Sequence, residues 1–254
     1  INKVSGVDWI IEAVVEKIHI KKKVYDLIEK YRKKNTIITT NTSGIPINHI
    51  STGRSKNFKE MFCGTHFFNP PRYLRLLEII PGKETNKKII SFFKDFGFVV
   101  LGKETVECKD TPAFIANRLG IYSIMSSIHS VEEMGLGIAE VDALTGTLIG
   151  RPKSATFRTM DVVGLDTAVN VANNLQKDLK EDESVFKFKL PKMVEKLYEK
   201  KFWGDKTKQG FYKKTINEKR KKEILEINPK TLDYISVEKT KSPTIKEAKK
   251  IDNL

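Results

Sequence analysis

Residues 7 to 40 constrain this chain more than any other stretch. Val7-Asp8-Trp9-Ile10-Ile11-Glu12-Ala13-Val14 is a short apolar run, the kind that forms a strand inside a parallel sheet. Glu16 to Tyr31 then carries Ile20, Val24, Leu27 and Ile28 on one helical stripe, with Lys and Glu elsewhere. Thr36-Ile37-Ile38-Thr39-Thr40 is a second strand, closed by Asn41-Thr42-Ser43-Gly44. Strand, helix and strand with short connections make one βαβ unit, so the fold class is α/β with a parallel sheet. Ligands of such sheets bind at the carboxyl ends of the strands, which are Ala13 to Glu16 and Asn41 to Ser43 here.

The next stretch brings chemistry. Phe62 to Phe68 and Arg75 to Ile80 are two short apolar strands separated by a Pro-containing turn. The midpoint between positions 66 and 78 is Arg72, inside that turn. Symmetric folding therefore sets His66 and Glu78 opposite each other on one face. A carboxylate beside an imidazole favours its charged form and fixes the ring, as a general base requires. An ordinary cross-strand ion pair has the same spacing, and spacing alone leaves both readings open.

After the hairpin, Asn86 to Phe96 is expected to be a helix, with Phe98 to Leu101 and Thr105 to Cys108 as short strands. Asp110-Thr111-Pro112 is expected to open a long helix to about Glu133, with Thr111 as N-cap and Pro112 in its first position. From Pro112 to Leu197 the pattern is helix-turn-helix, broken near Gly135 to Gly137, Gly150 to Pro152 and Gly164. The expected organisation is therefore an α/β domain over 1–110, an all-α domain over 111–212, and a charged, solvated linker over 213–254. That last segment holds 12 basic and 7 acidic residues with its apolar residues scattered.

The formal charge of +14 admits a nucleic acid, a membrane surface or a small polyanion such as a nucleotide or coenzyme A as partner. Most of the Lys is interspersed with Glu and Asp along helices, the mark of a solvated surface, so no nucleic acid is expected. No apolar run approaches the roughly 20 residues of a membrane span. The two cysteines, Cys63 and Cys108, have no metal-ligand spacing, and their small number suits a reducing cytosol. A phosphate-cradling G-x-G-x-x-G is absent; Gly135-Leu136-Gly137 is followed by Glu140 where the third Gly belongs. Together with an opening Ile1, this raises the expectation that the first βαβ unit of a dinucleotide fold lies upstream.

Six stretches in register carry a resemblance. They are Glu12-Ala13-Val14-Val15-Glu16, Asn41-Thr42-Ser43, His66-Phe67-Phe68-Asn69-Pro70, Lys109-Asp110-Thr111-Pro112, Phe114-Ile115-Ala116-Asn117-Arg118 and Gly164-Leu165-Asp166. In order and spacing they resemble the L-3-hydroxyacyl-CoA dehydrogenase family over roughly residues 1 to 213. The wording around Asn69 to Leu74 and Arg151 to Phe157 is most similar to prokaryotic fusions of this dehydrogenase with an enoyl-CoA hydratase module.

The resemblance implies a partial Rossmann-type NAD-binding domain followed by a helical domain. It implies reversible oxidation of a 3-hydroxyacyl-CoA to a 3-ketoacyl-CoA, with NAD as cofactor, in fatty-acid β-oxidation. His66 matches the family's base, Glu78 its orienting carboxylate, and Ser43 and Asn117 residues that contact substrate. Ala13, Glu16, Lys21 and Asn69 match positions that line NAD. An acyl-CoA substrate, a downstream hydratase module, self-association through the helical domain and a cytoplasmic location are further expectations. Without a glycine-rich loop, the chain alone is expected to bind NAD poorly. Two other readings are open to the sequence: a basic nucleic-acid-binding module, and a related dehydrogenase acting on a small hydroxy acid.

Overall fold

The computed structural model describes residues 2–237, 243–248 and 250–251. It divides into two compact units, Ile1–Arg118 and Leu119–Leu254.

The first unit is built on a five-stranded sheet. Its strands are β1 (Trp9–Glu12), β2 (Ile37–Thr40), β3 (Phe62–Phe67), β4 (Leu76–Pro81) and β5 (Glu104–Glu107), side by side in chain order. The β1–β2, β2–β3 and β4–β5 pairs are parallel, while β3 and β4 form an antiparallel hairpin. The helices are α1 (Ile18–Tyr31), α2 (Ile47–Ser51), α3 (Lys56–Glu60) and α4 (Lys87–Val99). Strand alternation splits the core in two. Ile38, Phe62 and Ile80 pack on one face with Tyr25 and Ile28 of α1, Ile47 and Ile50 of α2, and Phe58 of α3. Cys63, Leu77 and Ile79 pack on the other with Ile89, Ile90 and Phe93 of α4.

Three local expectations are corrected in this unit. The buried stripe of α1 is Lys21, Tyr25 and Ile28, whereas Leu27 is 40% exposed. The stripe is rotated because Glu12, buried at the end of β1, draws Lys21 and Tyr25 inward. Phe98-Val99-Val100-Leu101 is not a strand: α4 runs on to Val99, and all four side chains are exposed. Gly97 explains the continuation, since its missing side chain lets α4 lie directly against Thr105 of β5. The long helix α5 (Ala116–Met134) begins four residues later than Pro112. Ala113 and Phe114 have φ of 57° and 50°, so a tight left-handed turn separates Pro112 from the helix.

The second unit takes up the rest of α5 and adds α6 (Ile138–Thr145), α7 (Phe157–Val163), α8 (Leu165–Asp178) and α9 (Lys192–Glu199). Glycines break the helices at the expected places, with Gly150 and Gly164 at φ of 72° and 102°. The start of α7 is held by Asp142, whose carboxylate accepts from the backbone N–H groups of Thr156, Phe157 and Arg158 and from the Tyr212 hydroxyl. Within α7, buried Asp161 accepts from the N–H groups of Phe211 and Tyr212. Burial pushes its carboxyl up to about 6 despite those bonds.

The described part of the segment expected to be a linker is folded. It forms an antiparallel sheet of β6 (Tyr212–Ile216), β7 (Lys222–Ile227) and β8 (Tyr234–Ser236), followed by a short helix α10 (Pro243–Ala248). The basic run Lys219 to Lys222 spans the first hairpin turn and the start of β7. Asn217 Oδ1 accepts there from the N–H groups of Lys219 and Lys221, and Arg220 adopts a φ of 55°. Ile227 is fully buried, and Glu226 is buried with its carboxylate on the Ala139 N–H. A few anchored residues thus order a segment whose composition is mostly charged.

Candidate active site

His66 and Glu78 face each other in direct register across the β3–β4 hairpin. The antiparallel ladder sets this pairing, and alternation turns both side chains to the face shared by Phe62 and Ile80. His66 Nδ1 lies 2.7 Å from Glu78 Oε2, with His66 3% exposed and Glu78 fully buried. The rings of Phe68 and Phe114 lie 4.4 and 5.8 Å from the imidazole, so one nitrogen is bound and the ring is packed by aromatics.

The other oxygen of Glu78 accepts from the N–H groups of Ile115 and Ala116, at 3.0 and 2.8 Å. The carboxylate therefore caps α5, the role expected for Thr111. Burial works to raise its carboxyl pKa, but the bond from His66 and the two backbone N–H groups hold it below the usual carboxylate range. An ionised Glu78 fixes the imidazole with its proton on Nδ1 and leaves Nε2 without a bond to the carboxylate.

A second group of residues meets at the carboxyl ends of β1 and β2. Glu16 accepts from the Thr42 hydroxyl and the Ser43 N–H, and Lys21 Nζ lies 3.1 Å from its other oxygen. Burial opposes ionisation of Glu16, but these partners hold its carboxyl below the usual range. The Ser43 carbonyl in turn accepts from Asn117 Nδ2 at 3.4 Å. Asn41 Oδ1 accepts from the N–H of Phe67, the residue after His66. The Ser43 loop, the first turn of α5 and the end of β3 are thus tied together by polar bonds.

The remaining predicted residues are placed unequally. Ala13, Glu16 and Asn69 are exposed at strand ends and turns. Lys21 is 1% exposed, and its ammonium is taken up by both oxygens of Glu12, by Glu16 and by the Val14 carbonyl. It reaches no open surface, so what it does for the site passes through the two glutamates.

Sequence reading missed the support residues Glu12, Tyr25, Thr40 and Thr42. Tyr25 and Thr40 donate to Glu12 Oε2 at 2.6 and 2.8 Å. The i, i+4 spacing of Lys21 and Tyr25, with Ile28 beyond, was the available signal. It is a polar pair continuing onto an apolar face.

These residues fit one wall of a dinucleotide site and not the whole. The strand ends offer side chains for a ring to lie against. No glycine-rich turn is present to cradle a pyrophosphate, and the Lys21 ammonium is already neutralised by Glu12 and Glu16.

Residues 1–111 match the family model described as 3-hydroxyacyl-CoA dehydrogenase, NAD binding domain, and residues 114–214 match its C-terminal domain. A Bacillus subtilis protein named probable 3-hydroxyacyl-CoA dehydrogenase is 49% identical over 248 residues, 98% of this chain and 31% of that protein. The chain therefore spans about a third of that relative's length. A Caenorhabditis elegans protein, also named a probable 3-hydroxyacyl-CoA dehydrogenase, is 35% identical over 209 residues, covering 82% of this chain and 68% of that protein. Among solved structures, Mycobacterium tuberculosis FadB2 superposes with a TM-score of 0.75 at 28% identity, covering 84% of this chain and 72% of that one. With both family models in sequence along the chain, and relatives of that name at these identities, this protein belongs to the 3-hydroxyacyl-CoA dehydrogenase family.

Proposed function

We propose that the chain is the dehydrogenase portion of an enzyme that reversibly oxidises L-3-hydroxyacyl-CoA to 3-ketoacyl-CoA with NAD, in fatty-acid β-oxidation. The observation that carries this reading is the buried 2.7 Å contact between His66 Nδ1 and Glu78 Oε2, with Ser43 and Asn117 joined nearby. NAD, when bound, supplies the hydride acceptor. In the proposal, His66 Nε2 takes the proton from the C3 hydroxyl. Glu78 stabilises the imidazolium so formed and holds the ring in place. Such a placed base contributes about 10²–10⁴-fold.

The Ser43 hydroxyl makes no hydrogen bond among the described residues, which leaves it available to the substrate oxygen. The Asn117 side chain is held against the Ser43 carbonyl and serves the same end of the substrate. Ala13, Glu16 and Asn69 form the cofactor wall, and Lys21 supports it by holding Glu16. In this assignment 1–110 is the NAD-binding part and 111–212 the helical part. The β6–β8 segment leads toward a hydratase module, for which the greater length of the Bacillus relative leaves room. Self-association through the helical part and a cytoplasmic location belong to the same proposal. Among the described residues, no helix is long and apolar enough to cross a membrane.

The test uses the full-length protein. It is expected to consume NADH with acetoacetyl-CoA and to leave free acetoacetate untouched, and His66→Ala is expected to lose about 10²–10⁴-fold in kcat. Full activity in His66→Ala removes the assigned base. Equal turnover of the free acid reassigns the substrate to a small hydroxy acid.

A further inference from the structure

The second unit contains a cleft of about 430 Å³ where the ends of α5 and α9 meet the loop between β7 and β8. Its floor is apolar, formed by Val131, Met193, Leu232 and Ile235. Its rim carries Lys192, Lys196 and Lys230. Glu132 is the one carboxylate among the lining residues, and its Oε1 is engaged by the Met193 N–H at 2.8 Å. None of the three ammonium groups makes an ion pair among the described residues.

The loop that closes this cleft is tightly built. Asn228 donates its N–H to the Asp233 carbonyl, and its carbonyl accepts from the Leu232 N–H at 2.9 Å. Asn228 Oδ1 accepts from the N–H groups of Lys230 and Thr231. These bonds hold Leu232 at a φ of 61°, a conformation that a bulky residue rarely adopts, and its side chain is buried in the cleft wall. Backbone strain of this sort collects at ligand-binding positions. The loop also lies beyond residue 214, where the family model ends, so this wall is not part of the family's common core.

A ligand that fits must satisfy floor and rim together. A bare anion leaves the apolar floor in water, and a neutral hydrocarbon leaves the three rim charges without a counterion. We propose that this cleft binds a medium-chain aliphatic carboxylate, its tail along Val131, Met193 and Leu232 and its head among Lys192, Lys196 and Lys230. Charge-assisted bonds to the carboxylate fix orientation, and tail burial supplies most of the affinity. The site lies wholly in the second unit and does not depend on the dehydrogenase reading.

Calorimetric titration of the 254-residue chain with decanoate tests this, with decanol and inorganic phosphate as probes of tail and charge alone. Saturable binding of one decanoate is expected, with each control about tenfold weaker or worse. The triple variant Lys192→Gln, Lys196→Gln, Lys230→Gln is expected to weaken decanoate binding by about tenfold or more. Leu232→Gly suits the left-handed backbone and keeps the loop, yet removes floor, so it also weakens binding while circular dichroism stays unchanged. Absence of saturable binding overturns the proposal, as does unchanged affinity in the triple variant. Decanol binding as tightly as decanoate rules out recognition of the head group, and phosphate binding as tightly rules out the tail.

Discussion

Glu78 commits one oxygen to His66 and the other to two backbone amides at the start of α5, so in the proposed assignment one side chain serves both chemistry and fold. Glu78→Ala leaves two partly buried N–H groups without an acceptor as well as a buried, unpaired imidazole. A loss of about 3–5 kcal/mol in unfolding free energy is expected from urea titration. Its pH dependence has a definite sign. The carboxyl lies below its ordinary range in the folded chain, so its stabilisation is full above that range and is lost as pH falls through the lower folded value. Thermal melts from neutral to acidic pH should therefore show a steeper decline for the parent chain than for Glu78→Gln. The cysteines give a prediction of the opposite kind. Burial, then the nearby charge of Glu78, push the Cys108 thiol up to about 12, and burial alone raises that of Cys63. Neither should react with a disulfide reagent at neutral pH until the chain unfolds, and fast labelling of the native protein would contradict this.

At the level of elements, the sequence was most legible where period and punctuation agreed. The βαβ unit and the His66 hairpin were predicted from apolar runs bounded by turn residues, and the register of the hairpin from symmetry about Arg72. It was least legible where a distant group decided the outcome. Thr111-Pro112 carries a helix-start signature, yet α5 begins at Ala116 because Glu78, far away in sequence, supplies the acceptor. The buried stripe of α1 follows Glu12 and not hydrophobicity alone. The β6–β8 sheet was hidden by its charge, since a handful of buried anchors do not change average composition. Asp161 of α7 holds the start of β6 from outside the segment, and Gly204 and Gly210 pack against it. A Cβ on Gly204, at φ of 98°, would lie 2.2 Å from the Asp161 carbonyl oxygen. Gly204→Ala is expected to cost about 2–4 kcal/mol, through backbone strain and overpacking together, and an unchanged melting temperature would contradict that packing.

At the scale of the whole molecule, the two units divide the work. The first holds the residues proposed to move the proton, and the second holds a helical core with an added sheet. The net charge of +14 acts on both as a general repulsion between copies, weakened as salt rises. One feature of the first unit works against that repulsion. Among the described residues of this 254-residue chain, strand β1 pairs with β2 alone, so its outer edge carries unpaired backbone groups, and Ile11 on that strand is 47% exposed, with Val15 just beyond it at 59%. Such an edge is a template for another strand. In concentrated solution at high salt, the chain should add edge to edge into growing aggregates, visible as rising light scattering and dye-binding cross-β signal. Ile11→Lys should delay that growth without changing the fold, because it places a charge where a second strand would have to dock.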